Sequence, residues 1–201
     1  MGLRTLHVTT IDLTAHCFLR STFDLLRREG YEVALACDFQ QFQAELADHT
    51  DRMFQVKIPR QIRPLQDLRG LAQMIRVIRL YKPQILHSHT SKAGFTARLA
   101  ASLCDVPLVV HTIHELPQNA TRSPIKKTLY RFMEKLAAGW CNHLITVSRI
   151  NQEQILKEGI CRPDKLSLIP GGLQLQNYQP QGPPPWSLPP DAVVMGMAGR
   201  L

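Results

Sequence analysis

Four short polar clusters follow apolar runs in this chain: Thr10-Ile11-Asp12, His87-Ser88-His89-Thr90-Ser91-Lys92, His111-Thr112-Ile113-His114-Glu115, and Ser148. The second and third hold four of the eight histidines. Imidazoles, hydroxyls and carboxylates of this kind can exchange protons, orient a hydroxyl nucleophile or hold an oxyanion. His87 and His89 lie two apart, which gives them one face of a strand and makes a metal site conceivable. No Asp or Cys cluster completes a coordination shell, so the sequence reading assigns no metal. Of the four rings, His89 and His114 are expected to meet ligand at the strand ends, and His87 and His111 to be hydrogen-bonded structural groups. Ser91 and Lys92, ahead of a helical segment, provide a cation and free N–H groups suited to phosphate or carboxylate.

The elements around these clusters alternate. Strand-like runs are expected at 3–10, 31–37, 53–58, 84–89, 108–114, 143–147 and 166–169. Helical segments fall between them: 16–29, ending at Gly30; 40–47; one through Leu65, Leu68, Ala72, Ile75 and Ile78, closed by Pro83; 94–103; one started by Ser123-Pro124 with Ile125, Leu129, Phe132, Met133, Leu136 and Trp140 at helical spacing; and one capped by Ser148, ending at Gly159. Repeated strand–helix alternation means βαβ units, and right-handed crossovers put helices on both faces of a mostly parallel, doubly wound α/β sheet. Ligands of such sheets bind beyond the carboxyl ends of the strands, where the polar clusters lie.

Several functions are disfavoured. There is no G-x-G-x-x-G after the first strand, no G-x-x-x-x-G-K-[ST] and no G-x-S-x-G, so a standard dinucleotide fold, a P-loop NTPase and a nucleophile elbow are not expected. The five cysteines form no C-x-x-C and read as buried, reduced thiols. A formal charge of +8 calls for an anionic partner. Arg69, Arg76 and Arg79 form one basic stripe, and Lys127, Arg131 and Lys135 another, flanked by Arg122 and Lys126. Together they suggest an anionic membrane surface rather than nucleic acid, for which no recognised motif is present and aromatic content is only 6%. No apolar run has the length of a membrane span, and the N-terminus lacks the apolar stretch of a secretory signal, so a cytoplasmic location is the expectation.

Six prolines fall within 179–190, where neither helix nor central strand persists. The reading is a domain at 1–178, a proline-rich linker at 179–191, and at 192–201 the first strand of a second domain, cut off as it begins.

These residues resemble a known family. The opening Leu6-His7-Val8-Thr9-Thr10-Ile11-Asp12-Leu13-Thr14, the run from Ile85 through Gly94 to Ala101, Val109-Val110-His111-Thr112-Ile113-His114, Leu144-Ile145-Thr146-Val147-Ser148, Lys165 to Gly172, and Gly196 to Leu201 are similar to bacterial family 4 glycosyltransferases of capsular and exopolysaccharide assembly. The resemblance implies a GT-B fold of two facing Rossmann-like domains. It implies transfer of a sugar from a UDP- or GDP-sugar donor, usually with retention and without a bound metal or permanent cofactor. The acceptor would be a polyprenyl-diphosphate-linked saccharide, at the inner face of the plasma membrane. His114 would lie against the donor sugar at the reaction centre. Thr10 and Asp12 would close near the donor phosphates, which Gly199 and Arg200 would contact. His89, Ser91, Lys92 and Ser148 would border the acceptor cleft. The family commonly has Gly where this chain has Glu115, and Asn-Gly, a hydrophobe and Asp where it has Gly171-Gly172-Leu173-Gln174. The paired glutamates and lysine that hold the donor belong to the family's second domain, so the 201 residues are expected to be inactive alone. Two alternatives stay open. One is a UDP-sugar 2-epimerase, with Asp12 and Glu115 as acid/base carboxylates; the other is a non-catalytic module of the same fold that binds saccharide or a partner protein.

Overall fold

A computed structural model describes residues 2–59, 61–172 and 192. Met1–Gly171 form one compact unit. The proline-rich segment, the expected second-domain strand, and Gly199 and Arg200 lie outside the described residues.

The sheet has seven strands: β1 (Arg4–Ile11), β2 (Glu32–Asp38), β3 (Arg52–Gln55), β4 (Ile85–His89), β5 (Leu108–Ile113), β6 (His143–Thr146) and β7 (Leu166–Leu168). Their order is β3-β2-β1-β4-β5-β6-β7, and every pair is parallel. The order reverses direction between β1 and β4, and there the connections leave for opposite faces and open a crevice at the carboxyl edge.

Helices cover both faces. On one, Ala15 of α1 (Asp12–Phe18), Leu19 just after it, Phe23 of α2 (Arg20–Arg28) and Leu46 of α3 (Gln43–Ala47) pack on Val33, Leu35 and Cys37 of β2. On the other, α4 (Pro64–Tyr81) and α5 (Ser91–Leu103) bury Met74, Val77, Ile78, Ala93, Ala97 and Ala100 against Leu6, Val8, Leu86 and Val109. α6 (Pro124–Ala138) and α7 (Arg149–Lys157) complete the set. The expected 16–29 helix is two helices, because the backbone at Leu19 departs from helical geometry between them.

Apolar spacing misplaces two core faces. α4 buries Gly70, Met74, Val77, Ile78 and Tyr81, whereas Leu65 and Leu68 project into solvent, 77% and 65% exposed. α6 buries Glu134, Ala137 and Ala138, while its larger apolar residues Ile125, Leu129, Phe132 and Leu136 stay exposed. The reason lies in α5. Its small side chains bring neighbours close: a Cβ on Gly94 would fall 2.3 Å from Cε1 of His111. α6 meets α5 through small residues and one buried ion pair, Arg98 Nη2 to Glu134 Oε2 at 3.0 Å. Arg98 also donates to the Gly94 carbonyl through Nε. The thiols are all free, but Cys17 is exposed, contrary to the expectation that every cysteine is buried.

A buried ion pair specifies a docking geometry more than it adds stability, and breaking it leaves an uncompensated charge. Glu134→Ala, which strands Arg98, is expected to cost about 3–5 kcal/mol in urea unfolding. A loss below about 1 kcal/mol would show that α6 is held some other way.

Candidate active site

Parallel register decides which side chains meet at the carboxyl edge. His7 lies opposite His87, His87 opposite Val110, and His89 opposite Thr112, so these side chains share one face of the sheet. The three rings pack together, with centroid separations of 5.3 Å for His7 and His87, 4.2 Å for His87 and His89, and 5.7 Å for His7 and His89. Nδ1 of His7 and Nε2 of His89 are 3.4 Å apart, and Nε2 of His87 is 2.7 Å from Oγ1 of Thr112. On the opposite face His111 bonds the Ser88 hydroxyl at 2.9 Å.

Burial keeps this array neutral. A protonated imidazole cannot be solvated there, so the pKa values of His7, His89 and His111 lie well below the ordinary one, and neighbouring rings push His7 and His89 further down. For His111 the Arg98 guanidinium adds to the effect. His87 is lowered to about 4 by burial and by His114. His7, His87 and His89 are the described residues whose ring nitrogens could hold a metal, all within 4.8 Å of one another; no carboxylate or thiolate joins them.

His114 stands just past β5. Its ring lies 5.8 Å from that of His89 and 5.8 Å from the exposed Phe18, and its buried Nε2 has no hydrogen-bond partner among the described residues. Burial lowers its pKa, so at neutral pH it offers an uncharged ring nitrogen. Asn151, on the first turn of α7, donates from Nδ2 to the His114 carbonyl at 3.1 Å. Ser148 caps that turn by accepting from the Asn151 N–H. Ser148 therefore acts on His114 through α7, while its own oxygen is occupied by the cap.

The crevice where β1 and β4 part is closed by a hydroxyl pair, Oγ1 of Thr10 to Oγ1 of Thr90 at 2.8 Å. Thr90 holds φ 61°, a left-handed conformation that β-branched residues rarely take, at a cost of roughly 1–3 kcal/mol. It starts α5 without a side-chain cap, leaving the first-turn N–H groups open. Ser91 and Glu115 both line a cavity of about 430 Å³. Leu116, Pro117, Ala120 and Thr121 also line it, with Lys126 and Tyr130 of α6.

Three expectations need correction. The Asp12 carboxylate turns inward: its Oδ2 accepts from the N–H groups of Gln40, Gln41 and Phe42, each at 2.8 Å. Burial alone would raise its pKa, but these backbone donors outweigh it and hold it below the usual carboxylate range. It ties α1 to the loop after β2, and Oδ2 is taken up by that cradle. The Lys92 ammonium pairs with Asp67 at 2.8 Å and donates to the Gln61 carbonyl, so it braces α5 to α4. His89 is 2% exposed, lying beneath the site rather than at its surface, while His87 is the more open ring of the two. Sequence reasoning gave no role to His7, Thr90 or Asn151. His7 is legible only once the β1–β4 register is known, and Thr90 only from its backbone angle.

Residues 18–172 match the glycosyl transferase 4-like domain. The chain belongs to that family. It is 32% identical over 159 residues to the UDP-Gal:alpha-D-GlcNAc-diphosphoundecaprenol alpha-1,3-galactosyltransferase of Escherichia coli, covering 79% of this chain and 41% of that one. The chain thus spans less than half the length of this relative. Among solved structures, Anabaena HepE, crystallised with UDP and glucose, superposes with a TM-score of 0.63 at 14% identity, over 88% of this chain and 46% of that one. The UDP-GlcNAc 2-epimerase of Methanocaldococcus jannaschii gives 0.57 at 14% identity, over 85% and 46%. At such identities these two likenesses establish the α/β fold alone.

Removing the three-donor cradle of Asp12 by Asp12→Ala is expected to lower unfolding free energy by roughly 2–4 kcal/mol, as loss of several charge-assisted hydrogen bonds should. An unchanged urea midpoint would return Asp12 to the ligand contacts.

Proposed function

We propose that the protein moves a sugar from a nucleotide-diphosphate sugar, with UDP or GDP as the nucleotide, to a polyprenyl-diphosphate-linked saccharide, with retention of configuration and without a metal ion. The observation that carries this reading is the neutral His114 ring at the carboxyl edge of a family 4 sheet, its buried Nε2 left without a hydrogen-bond partner among the described residues. A neutral imidazole can hydrogen-bond a sugar hydroxyl and position the reacting carbon. In this reading the unit that ends at Gly171 is the acceptor side, and Gly199 and Arg200, outside the described residues, would meet the donor phosphates. By itself the acceptor side does not complete the site.

The E. coli relative is named for an acceptor that is a sugar on diphosphoundecaprenol, which supports a lipid-linked acceptor here. α6 supports a membrane-surface location: its exposed row Ile125, Leu129, Phe132 and Leu136 runs beside exposed Lys127, Arg131 and Lys135. No helix among the described residues is long and apolar enough to cross a membrane. We place the protein at the cytoplasmic face, bound peripherally.

The epimerase reading keeps its support in fold likeness. It needs two free carboxylates in the cleft, and with Asp12 committed to three backbone donors only Glu115 is left among the pair considered. The non-catalytic reading has no observation that favours it over the transferase.

The test uses the chain together with any sequence encoded beyond Leu201, incubated with labelled UDP- or GDP-sugars and a prenyl-diphosphate-linked N-acetylglucosamine. Transfer of label to the lipid, lowered about 100-fold or more by His114→Ala, is the expected result. Epimerised donor without acceptor would establish the alternative enzyme, and no turnover the binding module. Separately, Lys127→Glu, Arg131→Glu and Lys135→Glu together should abolish sedimentation with anionic phosphatidylglycerol vesicles. Each charge near such a surface contributes about 1 kcal/mol. Undiminished binding would remove α6 from the membrane contact.

A further inference from the structure

The sequence puts His87 and His89 on one strand face, and the parallel register brings a third ring to them. His7 of β1 lies opposite His87 of β4, so two neighbouring strands contribute to one cluster. Each of the three can offer a ring nitrogen within 4.8 Å of those of the other two. His7 and His89 are 1% and 2% exposed, and His87 is partly open. Among the described residues this is the one group of three or more histidine, cysteine or acidic side chains close enough to share an ion.

The spacing and the ligand type narrow the ion. Two nitrogens on a tetrahedral zinc, each about 2.0–2.1 Å from it, stand roughly 3.3–3.4 Å apart. Nδ1 of His7 and Nε2 of His89 are 3.4 Å apart, beyond the usual hydrogen-bond range. Their outer nitrogens, Nε2 of His7 and Nδ1 of His89, have no partner among the described residues. No described contact therefore holds the ring protons on the inner nitrogens, and both rings can turn a lone pair inward. His87 is held from outside the cluster, its Nε2 lying 2.7 Å from Oγ1 of Thr112. With that nitrogen donating to the hydroxyl, Nδ1 keeps the lone pair. A hydrogen bond through the second nitrogen is what ordinarily orients a ligating imidazole. Three imidazoles with no carboxylate or thiolate suit zinc, nickel or copper and not magnesium or calcium.

We propose that His7, His87 and His89 form a zinc site that ties β1 to β4 beneath the cleft, with Thr112 orienting His87. Three protein ligands leave the fourth tetrahedral position to solvent, which reaches it past the partly exposed His87. The site is a property of the folded domain. The transfer chemistry proposed above uses no ion, and the two readings stand or fall separately. Only the native register gathers these three rings, so the ion binds the folded chain and stabilises it. β1 and β4 are also the strands between which the sheet order reverses, so the ion pins the two walls of the crevice to each other.

The test uses the protein with any sequence encoded beyond Leu201, freed of metal by a chelator and titrated with Co²⁺ as a spectroscopic stand-in for zinc. One equivalent should bind with the strong visible absorption of a four-coordinate ion, and one equivalent of Zn²⁺ should bleach it. Mg²⁺ should not compete. In ¹⁵N-histidine spectra Zn²⁺ should shift the ring nitrogens of His7, His87 and His89 and leave those of His16, His49 and His143 in place. His87→Gln should weaken zinc binding about 100-fold or more, beyond what loss of an outer-shell partner costs, and Thr112→Val about tenfold. His143→Gln, a histidine outside the cluster, should bind as the parent does. The thermal midpoint should rise with zinc in the parent and in His143→Gln but not in His87→Gln. Cobalt that stays six-coordinate, or zinc shifts confined to histidines outside the cluster, would overturn the inference. So would undiminished affinity in His87→Gln. None of these readouts depends on sugar transfer, so their failure leaves the transferase reading intact.

Discussion

The site depends on one constraint, the parallel register that lays β1, β4 and β5 side by side and stacks His7, His87 and His89 on one face of the sheet. Buried together, these rings cannot share positive charge, so they stay neutral. His114, whose ring lies 5.8 Å from that of His89, is kept neutral by its own burial. A cationic floor would bind anions indiscriminately and repel a protonated neighbour. A neutral one leaves the electrostatics of the cleft to the helix N-terminus and to chosen cations.

The crevice above that floor is bridged by local geometry. Thr90 accepts an unfavourable backbone angle and bonds Thr10, which fixes the start of α5 relative to the end of β1. Asp12 and Lys92, charged residues close to the crevice, are both spent on bracing: Asp12 on the loop after β2, Lys92 on α4. α6 is fixed from within by the Arg98–Glu134 pair, which frees its large apolar side chains for the outside. That division explains why a helix with so much exposed hydrophobic surface is retained on a folded domain.

Much of the fold was legible in the sequence. Alternating β-branched and helical periodicities place all seven strands within a few residues, and glycine, proline and Ser148 mark the helix ends where the structure has them. The carboxyl-edge location of Thr10, Ser91, His114 and Glu115 follows from the same pattern. What periodicity could not supply was direction. Ile125, Leu129, Phe132 and Leu136 repeat with helical spacing whether they face a core or a membrane, and only packing against alanine-rich α5 shows that they face outward. Likewise Asp12 and Lys92 have the right types and spacing for phosphate contacts, yet partners 28 and 25 residues away claim them. Such long-range pairings leave no local trace in a single chain.

The neutrality of the histidine floor is most directly measured by following the ring nitrogens in ¹⁵N-histidine NMR from pH 7.5 downward. The structure predicts that the rings of His7, His89 and His111 keep the neutral pattern well below the ordinary imidazole value, with one protonated and one bare nitrogen each, and that His87 begins to charge only near its value of about 4. Titration of these rings together at about pH 6.5, the ordinary imidazole value, would contradict the account.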